Sequence, residues 1–168
     1  VTKSANDVAT AVAEKIAGTE INFAKKMTKK AKSLGMNNTR FMNASGLYNK
    51  YQKSTALDMA KLGIAIKRDF PLKYKIFNTK SFNWNGRKYK NHNNLLKSYS
   101  GTDGIKTGYI GASGFNLMAS VERNGIRLIG VVFGGKSSKR RDLHLMGLFT
   151  SAFKRASPPK LILVSTPL

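Results

Sequence analysis

The sequence predicts a mixed α/β domain of the α+β kind, an antiparallel sheet with flanking helices. Three observations predict it. The first half carries apolar residues at helical spacing. The second half carries two pairs of strand-like runs, each joined by Asn-Gly, the signature of a hairpin with a type I′ turn. The strand signals also come as a block rather than alternating with helices, which argues against a parallel doubly wound sheet.

Asn6 or Asp7 is positioned to cap a first helix through about Ala17, with Val8, Ala11, Val12 and Ile16 on one face and Gly18 as its breaker. A second helix runs from Ile21 to Leu34. Its apolar stripe is Ile21, Phe23, Ala24, Met27, Ala31 and Leu34, its lysines form the wet face, and Gly35 ends it. Thr39 to Met42 reads as a short strand and Asn43 to Gln52 as a loop. Ser54 or Thr55 caps a third helix whose core candidates are Leu57, Ala60, Leu62, Ile64 and Ala65, with Asp58 near its positive end. Pro71 closes that region.

Phe82 to Lys90 forms the first hairpin, turning at Asn85-Gly86. Phe115 to Phe133 forms the second and longer one, turning at Asn124-Gly125. Its return run, Ile126 to Phe133, is nearly all apolar, as in a central strand covered on both faces. Gly134-Gly135 ends it. Ser137 or Ser138 opens a last helix to Arg155, with Leu143, Met146, Phe149 and Phe153 inward, and Pro158-Pro159 stops it. Leu161 to Val164 reads as a stray strand or as the start of a further β domain.

Composition narrows the function classes. The chain has no cysteine, which excludes disulfides and thiolate metal sites. Its two histidines, His92 and His144, lack ligand spacing, so no metal site is expected. The net charge is +22, which favours anionic partners: nucleic acid, an anionic membrane surface or a charged wall polymer. The basic residues are spread along the chain, densest at Lys25-Lys26, at Lys29-Lys30-Lys32 and from Lys136 to Arg141. No zinc-finger, RNP-type aromatic or basic-zipper pattern goes with them, so no specific nucleic acid is expected. No apolar run approaches the roughly 20 residues that span a bilayer.

The informative string is Asp103-Gly104-Ile105-Lys106-Thr107-Gly108-Tyr109, directly before the long hairpin and so on or next to a sheet edge. A lysine followed by a threonine clamps a carboxylate: the ammonium supplies charge and the hydroxyl a directed hydrogen bond. On an extended strand the two point to opposite faces unless the strand twists or the lysine reaches around. Gly108 lets a substrate backbone approach closely. The Tyr109 N–H is a candidate oxyanion donor, a contribution typically worth about 2.7–4 kcal/mol of barrier lowering. Alone, Lys-Thr-Gly also fits an ordinary turn with an exposed lysine.

Other segments add to it. They are Ser4-Ala5-Asn6-Asp7 leading into a helix, Ser33 to Thr39 followed by Phe41, Ala44-Ser45-Gly46-Leu47, Thr55 to Ala60, and Gly114-Phe115-Asn116-Leu117. In this order, over about residues 4–155, they resemble the low-molecular-weight penicillin-binding proteins, the serine-type D-alanyl-D-alanine carboxypeptidases. The resemblance implies a β-lactamase/penicillin-binding-protein-like fold with its N-terminal part missing. Residues 1–156 would be a partial penicillin-binding (transpeptidase-like) domain and 157–168 an unassigned tail.

It also implies roles. Ser4 and Asn6 match the family's Ser-x-Asn element: Ser4 would act in the proton relay, and Asn6 would orient the peptide and the catalytic lysine. Lys106 and Thr107 would bind the terminal carboxylate of a peptidoglycan stem peptide, and the N–H of Tyr109 would complete half of the oxyanion hole. Ser81-Phe82-Asn83, a second formal match, falls inside a hairpin and reads as chance. Ile110 departs from the hydroxyl residue that relatives often carry.

The Ser-x-x-Lys element, which supplies the acylated serine and its lysine, is not matched upstream of Ser4. Of two downstream matches, Ser151 to Lys154 sits in the last helix beside the inward Phe153. Ser157 to Lys160 contains two prolines that forbid a helical turn. The expected reaction of the complete enzyme is acylation of a serine by the stem peptide, loss of the terminal D-Ala, and hydrolysis of the acyl-enzyme. β-Lactams would acylate the same serine.

No cofactor is implied. The isolated chain is expected to be inactive and marginally stable, with an open core beside Val8 and Ile129, an exposed sheet edge and a complementing N-terminal fragment as partner. The family implies a bacterial cell envelope location, at the periplasmic face of the inner membrane. A non-catalytic remnant and a basic binding module for cell-wall polymer or nucleic acid remain as alternatives.

Overall fold

A computed structural model describes residues 1–156. Helices α1 (Asn6–Ala17), α2 (Glu20–Ser33) and α3 (Ala56–Asp69) come first. A short helix α4 (Pro71–Tyr74) runs into a 3₁₀ turn (Lys75–Asn78). The hairpin β1 (Ser81–Trp84) and β2 (Arg87–Lys90) follows, then one helical turn α5 (Leu95–Ser98). Strands β3 (Thr102–Ile110), β4 (Gly114–Arg123) and β5 (Ile126–Gly135) build an antiparallel sheet in that order, and α6 (Ser138–Arg155) closes the described chain. The proline stop at Pro158-Pro159 and the strand expected at Leu161 to Val164 lie outside the described residues.

Both Asn-Gly turns form as their chemistry requires. Asn85 and Gly86 have φ of 47° and 70°, and Asn124 and Gly125 have 50° and 75°, the left-handed pairs of type I′ turns. Trp84 therefore pairs with Arg87, and Arg123 with Ile126.

The sheet has a core on each face, set by the two-residue alternation of β4. Leu117, Ala119 and Val121 face α6 and pack with Leu95, Leu145 and Phe149. Met118 faces α3 and packs with Tyr74 and Ile105. β5 follows the same rule: Leu128 and Val132 join the α6 side, Ile129 and Val131 the α3 side. Its apolar run thus meets core on both faces. It is, however, an edge strand of the described sheet and not the central strand expected.

Helix periods were legible, but their phase was not always so. On α3 the packing face is Met59, Gly63 and Ile66, while Leu57 and Ile64 point outward. Gly63 sets that phase: a Cβ there would stand 2.9 Å from Met118 Sδ and 3.2 Å from Ile105 and Ile129, so the helix sits close on the sheet. On α6 the buried apolar residues are Leu145 and Phe149, and Leu143 is exposed. Val8, Val12 and Ile16 of α1 form the predicted stripe, yet each is more than half exposed.

Thr55 and Ser137 cap α3 and α6 by accepting from Asp58 N and Arg140 N at 3.1 and 3.2 Å. α1 has no side-chain cap: Ala5 occupies the cap position, and Asn6 is the first helical residue. Thr39 to Met42 is not a strand; a single bridge joins Arg40 to Lys53. Among the described residues no helix is long and apolar enough to cross a membrane.

Candidate active site

β3 brings its motif to a cleft of about 1160 Å³ between the sheet and the α1–α2 half. Ser4, Asn6, Lys106, Thr107, Gly108 and Tyr109, all named from sequence, line it. Among the described residues β3 pairs only with β4, so part of its backbone polar groups face away from that ladder. Gly108 pairs across from Asn116, and a side chain added there would meet nothing nearer than 4.0 Å.

The centre of the cleft is a lysine held by a serine. Lys106 Nζ donates to Ser4 Oγ at 2.7 Å and to the Thr107 carbonyl at 2.8 Å. The ammonium thus lies beside the carbonyl of the next residue, and Lys106 and Thr107 both line the cleft. Ser4 sits just before α1 with φ of 59°, an unusual left-handed serine, and its N–H bonds the Val1 carbonyl at 3.1 Å. Burial pushes the Lys106 ammonium below its ordinary value. No side-chain hydrogen bond is assigned to Asn6, which lies exposed at the cleft wall.

Several residues hold β3 in place. Asn93 is buried. Its Nδ2 donates to the Gly104 carbonyl at 3.0 Å, and its Oδ1 accepts from Leu95 N at 3.2 Å. Asp103, at the motif's start, accepts from Arg127 Nη1 of β5 at 2.7 Å and from the Tyr74 hydroxyl at 3.2 Å. The same Arg127 nitrogen donates to Ser120 of β4 at 2.7 Å, so one network crosses all three strands. Burial, more than the Asp103 charge, pushes the Tyr74 hydroxyl up to about 12.

The cleft has further members whose part in it has no sequence motif. His92, which lacks ligand spacing in the sequence, stands on its wall, held below its usual value by burial and by the positive charges of Lys106 and Lys3. Asn116 accepts from Gly134 N at 3.1 Å and donates to Ser113 at 2.7 Å, tying the β3–β4 turn to the end of β5. Arg141 is buried against Asp142 at 2.7 Å.

No Asp or Glu lines this cleft, whereas Lys53, Lys90, Lys106 and Arg141 do. Such a lining suits a carboxylate-bearing ligand. Ser151, of the last-helix Ser-x-x-Lys match, is not among the lining residues. Ser157 to Lys160 lies outside the described residues.

The model of the D-alanyl-D-alanine carboxypeptidase family matches residues 1–137. The chain is 39% identical over 153 residues to D-alanyl-D-alanine carboxypeptidase DacA of Escherichia coli (strain K12), covering 90% of this chain and 38% of that protein. It is 38% identical over 160 residues to the carboxypeptidase DacF of Bacillus subtilis (strain 168), covering 90% of this chain and 40% of that protein. The chain thus spans about two-fifths of the curated relatives it matches.

Among solved structures, penicillin binding protein 5 from Haemophilus influenzae superposes with a TM-score of 0.85 at 40% identity, over 90% of this chain and 44% of that one. Penicillin-binding protein D2 from Listeria monocytogenes, in its cefotaxime-bound form, gives 0.83 at 30% identity, over 91% of this chain and 63% of that one. With the family model matching residues 1–137 and relatives 38% and 39% identical over 90% of its length, the chain belongs to the D-alanyl-D-alanine carboxypeptidase family.

Proposed function

We propose that this chain supplies the carboxylate-binding and proton-relay part of a serine D-Ala-D-Ala carboxypeptidase site that acts on peptidoglycan stem peptides. The observation that carries the reading is the Lys106–Ser4 hydrogen bond of 2.7 Å in an acid-free cleft. The terminal carboxylate of the peptide meets the Lys106 ammonium and the Thr107 hydroxyl. Ser4 and Lys106 pass the proton that leaves the attacking serine and returns to the departing D-Ala amine.

The attacking serine itself belongs to a Ser-x-x-Lys segment seated against this cleft, because none of the cleft-lining serines is followed by Lys at the third position. β5 is the strand edge against which further chain of the fold would pair. β-Lactams, which resemble the peptide terminus, are proposed as acylating ligands of the complemented site. The cell envelope is its proposed place of action, because the proposed substrate lies there.

The test is release of D-Ala from a peptide ending in D-Ala-D-Ala. Co-expression with the Ser-x-x-Lys segment of a relative is expected to give release that Lys106→Ala abolishes. Release that survives Lys106→Ala would contradict the assignment.

A further inference from the structure

α2 carries two features that the cleft chemistry does not use. Its outer face holds Lys25, Lys26, Lys29 and Lys30, all exposed, and none of them is in an ion pair among the described residues. Lys25 with Lys29, and Lys26 with Lys30, stand four residues apart, where like charges repel. Lys30 acts on Asp69, which Arg68 already holds at 2.6 Å.

Beside these lysines opens an apolar groove of about 310 Å³, lined by Phe23, Met27, Leu34, Met36, Phe41 and Leu62. Lys26 and Lys30 also border it, and no acidic residue does. The volume falls within the roughly 300–1,000 Å³ of small-ligand sites. Helical spacing explains the juxtaposition: Phe23, Met27, Lys30 and Leu34 follow one line down α2, and Lys26 neighbours both Phe23 and Lys30. A phosphate polymer would satisfy the lysines and leave the groove empty. An anionic headgroup with an acyl chain satisfies both.

We propose that this face of α2 docks on an anionic phospholipid surface, with the lysines at the headgroup phosphates and one acyl chain in the groove. Met27, Phe41 and Leu62 border both groove and cleft, so docking would set the cleft beside the bilayer. This inference does not depend on the proposed catalytic role.

The test is partitioning of the full chain onto vesicles of phosphatidylcholine with and without phosphatidylglycerol, at an ionic strength of about 0.15 M. Binding is expected only with phosphatidylglycerol. Lys26→Glu/Lys30→Glu is expected to weaken it at least tenfold, given about fivefold per surface lysine. Lys73→Glu/Lys75→Glu, an equal charge change on the exposed α4 region, is expected to weaken it no more than about twofold. Equal losses in both variants would reduce the effect to bulk charge and overturn the proposal.

A second readout probes the groove. In a Trp84→Phe background, Phe23→Trp is the sole tryptophan, and lipids brominated on the acyl chain are expected to quench it. Binding without quenching would overturn the acyl-chain assignment. Tighter binding to duplex DNA than to vesicles, lost in the same lysine variant, would assign the face to nucleic acid instead.

Discussion

Lys106 and Ser4 are 102 residues apart in the chain and 2.7 Å apart at Nζ and Oγ. The contact ties a strand of the second half to the entrance of the first helix, and it keeps a partly buried ammonium hydrogen-bonded. Because burial holds this lysine below its ordinary 10.5, the unfolded chain binds the proton more tightly than the folded one. The charge therefore opposes folding at low and neutral pH, and that opposition fades as pH rises through the folded value toward 10.5.

Lys106→Met should accordingly leave thermal stability at pH 7 unchanged or raise it by no more than about 3 °C. Stability should also rise less steeply in the alkaline range than for the parent chain. Thermal unfolding monitored by circular dichroism against pH checks this. A large loss of stability in the variant would mean that the lysine is structural.

Asp58 behaves in the opposite sense. Burial opposes its ionisation, but hydrogen bonds from Thr39 Oγ1 and Asn38 N, both 2.8 Å, hold its carboxyl below the ordinary 3.8. The folded state thus gains stability from the carboxylate above about pH 4, and loses it as pH falls through the folded value. Asp58→Asn should be less stable than the parent at pH 7. The gap should narrow as both chains are taken below about pH 4, as acid titration of the unfolding midpoint will show.

The Asp103–Arg127 pair at 2.7 Å fixes the start of the Lys-Thr-Gly strand through Ser120. Asp103→Ala leaves Arg127 with Glu122 as its remaining carboxylate partner. A loss of about 1–3 kcal/mol in urea unfolding is expected. Tyr74 should remain untitrated near pH 10 in the variant, because burial is the larger cause of its shift. Ultraviolet titration of the tyrosines checks the second point.

Gly130 is where β5 meets α6. An added Cβ would stand 2.6 Å from Leu145 Cδ1 and 2.9 Å from Phe149 Cζ. Gly130→Ala is expected to destabilise the chain by about 1–3 kcal/mol, read from the urea midpoint. Little change would mean that α6 is free to shift away from the sheet.

The hairpins were legible because Asn-Gly turns act locally. The motif strand and helix starts were legible for a different reason: they resemble a family. The phase of α3 was not legible, since its packing face is marked by Gly63, a residue that gives no apolar signal. Asn93 was missed because its role depends on Gly104, eleven residues on and in another element. The edge position of β5 was hidden as well: apolar cover on both faces reads the same whether or not a strand has a second neighbour.

The central claim is that this cleft binds a carboxylate and relays protons for a serine carried on a separate segment. Acylation by a fluorescent penicillin, read on a denaturing gel, tests it most directly. The account predicts no label on the chain alone. Label should appear on the Ser-x-x-Lys segment once that segment is co-folded with the chain, and should disappear with Lys106→Ala. Label on the chain alone that is lost in Ser4→Ala would make Ser4 the nucleophile and contradict the account.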